Sequence, residues 1–391
     1  MPGWPGASWL ELALMAEECG SLQEQLSFFL ENNFDHTHVK PWREIPLADE
    51  PFVGAWEEYI RDINVKNPLA VLKNKLVQLN FPVKEGISKS TDYQMATKRG
   101  LDTVLMPGAT GVELEEPGNI EVYLYQTIAG RIPVIQMRNR NDFETLVRVF
   151  FYKNEPVSIP PSMGACMIKG YNNWDRVKKY KEKWHSDNGY KESMDFLWKF
   201  EFEIMKSRPE LYQDTFFVLS DKEYSNVPAG MLGIPEGEWR RLSLVIRREH
   251  EAAHYCTLRF FGSARDHLLD ELIADYMGIV AAAGRYIARW FLCFMGLENY
   301  PAFRSGGRLV NYLKNKELSG EAFEALNAYV KNAAQNLETF SEKYAPGIYQ
   351  GEGKYKMLLA LSKMDFIELA SEDMEKQLLK NGLGAFLEKE V

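Results

Sequence analysis

Residues 250–275 read HEAAHYCTLRFFGSARDHLLDELIAD, and how this stretch is parsed decides the fold. Leu242, Val245, Ile246 and Ala253 form an apolar stripe at helical spacing that runs into it. Glu238–Arg241 supply a polar first turn, and Gly262 ends the run. A second helix is expected from about Arg265 to about Ala283. Two helices joined by so short a turn fold back antiparallel, and residues equidistant from the turn then face each other. With the centre between Gly262 and Ser263, His254 stands across from Glu271 and His250 across from Asp275.

That register matters for chemistry. His250 and His254 lie at i and i+4 on one helix face, where two imidazoles can grip a single divalent ion. Glu251 lies about 100° round the helix from His250, beside the ion and not between its ligands, which suits a general base. The pentapeptide alone leaves an alternative open, two helix histidines satisfied by core carbonyls. A chance HExxH in such a chain arises on the order of once in a hundred sequences. The second helix tips the balance. A two-histidine zinc site needs a third protein ligand and an open position for water, and Glu271 can complete that shell. Asp275 can accept the free ring N–H of His250. A buried Glu and Asp on this otherwise apolar helix would be costly without a cation or donor.

HExxH followed by a helix bearing ExxxD resembles the gluzincin branch of the zincin metallopeptidases. The string Glu271-Leu272-Ile273-Ala274-Asp275 is similar to the ExxAD element of several of those families. The resemblance covers His250 to Asp275 and implies a zincin-like helical hairpin binding one Zn²⁺ per chain. It implies His250, His254 and Glu271 as zinc ligands, Glu251 as base and proton shuttle, and Asp275 as orienter of His250. The implied activity is peptide-bond hydrolysis by a zinc metallopeptidase, on a peptide or small amide substrate. Two positions depart from the pattern. The sixteen residues between His254 and Glu271 are slightly fewer than in the thermolysin-like and membrane-alanyl-aminopeptidase-like groups, and Arg248 stands where an uncharged residue is preferred. An oxyanion-stabilising or substrate-binding donor is sought among His267, Tyr255 and Tyr286, with Arg285 and Tyr349 as further candidates. Thr215–Leu219 reads as a strand, either in the core or as an edge that would pair with an extended peptide. Two other functions fit the same residues: a metal-dependent hydrolase of a non-peptide amide, and a non-catalytic zincin-like binding or scaffold protein. Glu251 argues against the last, since a structural zinc site needs no general base.

The rest of the chain frames this site. Its 391 residues exceed a typical domain two- to three-fold, so more than one domain is expected. An aromatic content of 13% excludes disorder as the main state. A net charge of -9 gives no global attraction for phosphate backbones, so nucleic acid is not an expected partner. Four scattered cysteines without a CxxC make no disulfide framework. The N-terminus lacks a basic region before its apolar residues, and the apolar stretch Tyr276 to Gly296 is interrupted by Arg285 and Arg289. That stretch reads as a buried helix, and the protein as soluble and cytoplasmic. Helical spacing dominates 1–100, including Trp9 to Ala16. Strand-like runs at Ile120–Tyr125, Ile132–Met137, Leu146–Tyr152 and Thr215–Leu219 mark an α+β region over 101–235, and 236–391 reads as a helical catalytic region. The expected class is helix-dominated α+β with a small antiparallel sheet in the middle of the chain. Asp35-His36-Thr37-His38 reads as a solvated loop and His185 as a turn residue, and no Walker loop, GxGxxG or GxSxG motif is present.

Overall fold

Thr127-Ile128-Ala129-Gly130 makes the turn that starts the sheet. The Thr127 hydroxyl donates to the Gly130 carbonyl at 2.7 Å and accepts from the Ala129 amide at 2.9 Å. Gly130 adopts φ 96°, a backbone conformation that a side chain would resist. This turn joins β1 (Glu121–Thr127) to β2 (Gly130–Met137) as an antiparallel pair. These elements belong to a computed structural model that describes residues 21–37, 39, 41–189, 196–262, 267–313, 318–345 and 347–390. The helical spacing at Trp9–Ala16 therefore lies outside the described residues.

Along the chain, α1 (Leu22–Leu30) opens with a capping box between Ser21 and Glu24. There follow α2 (Val53–Ile63), α3 (Pro68–Lys75), α4 (Thr91–Arg99), the β1–β2 hairpin, α5 (Arg140–Phe150), β3 (Ala165–Asn172), α6 (Trp174–Asp187), α7 (Trp198–Lys206) and β4 (Gln213–Ser220). Then come α8 (Glu236–Phe261), α9 (Leu268–Ala283), α10 (Ala288–Met295), α11 (Gly320–Tyr344), α12 (Gly351–Ser362) and shorter helices ending at Glu390. The class is α+β with helices dominant.

The sheet corrects two expectations. It is mixed: in the order β1-β2-β4-β3, β4 runs parallel to β2 and antiparallel to β3. The parallel pair arises because the segment after β2 crosses over through α5 before the chain returns, as parallel neighbours require. Leu146–Tyr152, strand-like in isolation, is mostly the end of α5. Asn139 caps that helix by accepting from the Asn141 and Asp142 amides, and Phe143, Leu146, Val147 and Phe150 recur at helical spacing to bury one face. β4 is an interior strand with neighbours on both sides, so Thr215–Leu219 offers no free edge to a peptide.

The chain splits into two compact units. One spans Glu44–Glu223 and holds the sheet, with Trp56, Tyr59, Phe143, Leu146, Phe216 and Val218 in its core. The other combines described residues of Met1–Arg43 with those of Tyr224–Val391 and is helical. The apolar stretch Tyr276–Gly296 is broken at Gly284 (φ 73°) into the end of α9 and α10. Among the described residues no helix is long and apolar enough to cross a membrane. His185 lies in the last turn of α6, not in a turn outside it.

Candidate metal centre

α8 is 26 residues long; Leu242, Ile246, His250 and Ala253 are buried at helical spacing, and from Ala252 to Thr257 the helix is buried all round. Gly262, at φ 66°, ends it. α9 begins at Leu268 behind His267, whose Nδ1 accepts from the Leu269 amide at 3.3 Å. The two helices approach closely at Gly278, where a Cβ would meet the Ile246 carbonyl oxygen at 2.7 Å. A larger residue there would push the hairpin apart, so this glycine lets the helices carry polar side chains into one small space.

That space holds His250, His254 and Glu271, each less than a tenth exposed. The two Nε2 atoms are 3.0 Å apart. Glu271 Oε1 lies 3.4 Å from His254 Nε2, and Oε2 lies 3.5 Å from His250 Nε2. Each imidazole is held from behind by a carboxylate. His250 Nδ1 meets Asp275 Oδ1 at 2.9 Å, and His254 Nδ1 meets Asp270 Oδ2 at 3.0 Å. An ionised carboxylate only accepts, so both Nδ1 atoms carry protons and both Nε2 lone pairs point at each other. Two facing lone pairs at this distance call for a proton or a cation between them. Burial opposes a charge on His254, but Asp270 and Glu271 outweigh it and push its pKa well up. Burial would likewise raise Glu271, yet the His254, His250 and Arg308 contacts hold it far below the usual carboxylate range.

The donor set fits a divalent ion. Bonds of about 2.0–2.1 Å in a tetrahedral zinc site separate ligand atoms by about 3.3 Å, close to the three spacings found here. Arg308 pairs with Asp275 and approaches Glu271, Arg247 acts on Glu251, and Asp270 meets His254. Four carboxylates against two guanidinium groups leave a negative excess that suits two positive charges. Among the described residues this is the one group of His, Cys, Asp and Glu that could hold a metal ion. Glu251 is half-buried beside it. Burial raises its pKa, while His250, His254 and Arg247 pull the other way.

A family model described as a family of unknown function (DUF7005) matches residues 12–373. The chain belongs to that family. No curated protein and no solved structure matches it.

In this family member a second ring of side chains surrounds the group, and sequence reasoning missed most of it. The Tyr224 hydroxyl donates to Asp275 Oδ1 at 2.6 Å and lies 2.8 Å from His250 Nδ1. Arg308 donates to the Tyr224 oxygen at 2.9 Å and pairs with Asp275 Oδ2. The Tyr312 hydroxyl donates to Glu271 Oε2 at 2.8 Å. Asp270, next to Glu271 on the same helix, meets His254 Nδ1 at 3.0 Å. A signal existed for some of this: three acids on one apolar helix need more partners than two histidines supply.

Of the candidate oxyanion donors, Tyr286 feels the Asp275 charge. His267 caps α9 and turns its Nε2 to the Phe28 carbonyl at 3.1 Å and to Asn33 at 3.3 Å, because the N-terminus of α9 needs an acceptor there. Tyr255 is fully buried with Arg259 over its ring at 5.9 Å. Tyr286 is fully buried and packs on Tyr276, 4.9 Å between centroids. The tyrosines found at the group are Tyr224 and Tyr312. His36 reaches the Ser362 hydroxyl at 3.0 Å and packs on Phe34 and Phe261, so it is part-buried and not a solvated loop residue; His38 lies outside the described residues.

Proposed function

We propose that this protein is a zinc-dependent hydrolase of peptide bonds, a zincin-like metallopeptidase of the gluzincin type. One observation carries the reading: two imidazole Nε2 atoms and a carboxylate converge at 3.0–3.5 Å, each imidazole backed by its own acid, with Glu251 alongside. His250, His254 and Glu271 would hold the ion, and zinc there supplies Lewis acidity that polarises a carbonyl and acidifies a water.

The chain's own residues account for the rest. Asp275 and Asp270 fix both imidazoles in the tautomer that presents Nε2. Glu251 takes the proton of the attacking water and returns it to the leaving amine. Its half-buried place suits that work, since burial and the Glu271 charge raise its proton affinity and the histidines and Arg247 keep it ionisable. A purely structural ion would have no use for such a group, and would have its fourth position closed by a protein ligand.

Metal analysis and a mixed peptide library test this together. Purified protein should carry about one zinc per chain, the single-ion stoichiometry of a three-ligand catalytic site. Glu251→Gln should keep the zinc and lose about 10²–10⁴-fold in cleavage rate. Protein that neither contains zinc nor takes it up would end the proposal, as would a Glu251→Gln variant as active as the parent.

A further inference from the structure

Glu271 has two oxygens, and they straddle the imidazole pair almost evenly, Oε1 towards His254 and Oε2 towards His250. A carboxylate so placed could bind an ion through both oxygens and fill the position that a water needs. The structure treats the two oxygens differently. The Tyr312 hydroxyl donates to Oε2 at 2.8 Å, and Arg308 Nη2 also approaches Oε2, at 3.9 Å. Both residues come from one short turn, Arg308–Leu313. That turn is seated by a close backbone crossing: a Cβ on Gly307 would lie 2.5 Å from the Gly296 Cα and 2.4 Å from the Met295 carbonyl oxygen. Arg308 is pinned further by Asp275 and the Tyr224 hydroxyl, so it cannot swing away from Oε2 without breaking two part-buried contacts.

We propose that Tyr312 and Arg308 are positioning residues that restrict Glu271 to one-oxygen binding of the metal, through Oε1, and so keep one coordination position free for water. A hydrogen bond to Oε2 draws its lone-pair density towards the phenol and away from the ion, and it fixes the rotation of the carboxylate plane. The role rests on the metal-centre reading above and adds to it: the His250, His254 and Glu271 set says that an ion binds, while the Arg308–Leu313 turn sets how many atoms bind it.

Cobalt(II) substitution reads coordination number directly, because four-coordinate cobalt absorbs far more strongly in the visible than five- or six-coordinate cobalt. The unaltered protein loaded with cobalt should show the intense four-coordinate bands. Tyr312→Phe, which deletes one oxygen and keeps the ring, should lose that intensity as Glu271 closes on both oxygens, and kcat/KM should fall about 10–100-fold. The melting temperature of the metal-free variant should fall by only a few degrees, about what the loss of one buried hydrogen bond gives. An unchanged cobalt spectrum in Tyr312→Phe overturns the proposal, and so does a variant whose only defect is a lower melting temperature. Should Tyr312→Phe not fold, X-ray absorption on the unaltered zinc protein decides: a four-atom inner shell supports one-oxygen binding, and a five-atom shell refutes it. A parent protein that binds no cobalt or zinc at all is a different outcome, and refutes the metal centre itself.

Discussion

Each of the two units buries a carboxylate, and the two are treated in opposite ways. In the sheet unit Asp214, 1% exposed, accepts from Trp56 Nε1 at 2.9 Å, Asn173 Nδ2 at 2.7 Å and Arg176 Nη1 at 2.7 Å. Burial pushes its pKa up, and these three donors work against that shift. The partners are N–H donors with nothing left over, so the cluster is closed. In the helical unit Glu271 faces the Nε2 atoms of two imidazoles whose Nδ1 protons are given to Asp275 and Asp270. That cluster has acceptors in excess. A buried acid with its donors built in anchors a fold, whereas a buried acid facing lone pairs marks a place for a cation.

The largest effects should separate the two acids outright. Glu271→Ala should weaken zinc binding on the order of 10³-fold, as loss of one of three protein ligands implies, measured by competition with a chromophoric chelator. Asp214→Ala should leave zinc affinity unchanged and cost about 3–5 kcal/mol in denaturant unfolding, because it strands the Arg176 cation in the core. A loss of zinc affinity in Asp214→Ala comparable to that in Glu271→Ala would erase the distinction.

A smaller effect sharpens it within the helical unit. His254 is backed by Asp270, while His250 has both Asp275 and Tyr224 behind it. Asp270→Ala should lower zinc affinity about 10–100-fold, well short of Glu271→Ala. Asp270→Asn, which keeps an acceptor for His254 Nδ1, should recover most of the loss. If Asp270→Ala exceeded Glu271→Ala, the assignment of ligand and orienter would have to be exchanged.

What the sequence reveals of this contrast follows from the range of each interaction. The His250–His254 spacing and the placement of Glu271 and Asp275 depend on one helix period and one tight turn, so they are legible within 26 residues. Tyr224, Arg308 and Tyr312 reach the site across 26 to 41 residues of chain, and nothing local announces them. Gly306-Gly307 reads as a helix break. Only the structure shows Gly307 pressed against Gly296 so that Arg308 arrives over Asp275. The sheet was legible as strands but not as a topology. The alternation in Glu121–Thr127 and Gly130–Met137 marks a hairpin, whereas the parallel partner of β2 comes from β4, some eighty residues on, and no periodicity encodes that pairing. The α5 misreading has a simpler cause: Leu146–Tyr152 is too short a window to tell a β-branched helix from a strand until the Asn139 cap is included.

The smallest expected effect lies beside Asp214 and tests whether the closed cluster behaves as one electrostatic unit. Asn173 donates to Asp214 Oδ2 and caps the helix that carries Asp175. Burial would raise Asp175, but the Tyr59 hydroxyl at 2.9 Å and the Lys179 and Lys75 cations at 3.1 and 3.2 Å outweigh it and hold its pKa below the usual range. Glu58 shares Lys179 and weakens that pull. A depressed carboxyl pKa means that the unfolded chain binds the proton more readily. The stability it contributes is therefore present above the unfolded value of about 3.9, and is lost as pH falls through it towards the folded value. Asp175→Asn should flatten the fall in stability between about pH 5 and pH 3, and cost less than about 1 kcal/mol near neutrality because the lysines are partly solvated. Zinc affinity should not move. If the acid slope of Asp175→Asn matched that of the parent, the paired lysines would contribute nothing to folding. Asp214, fixed by its own three donors, would then hold the cluster without them.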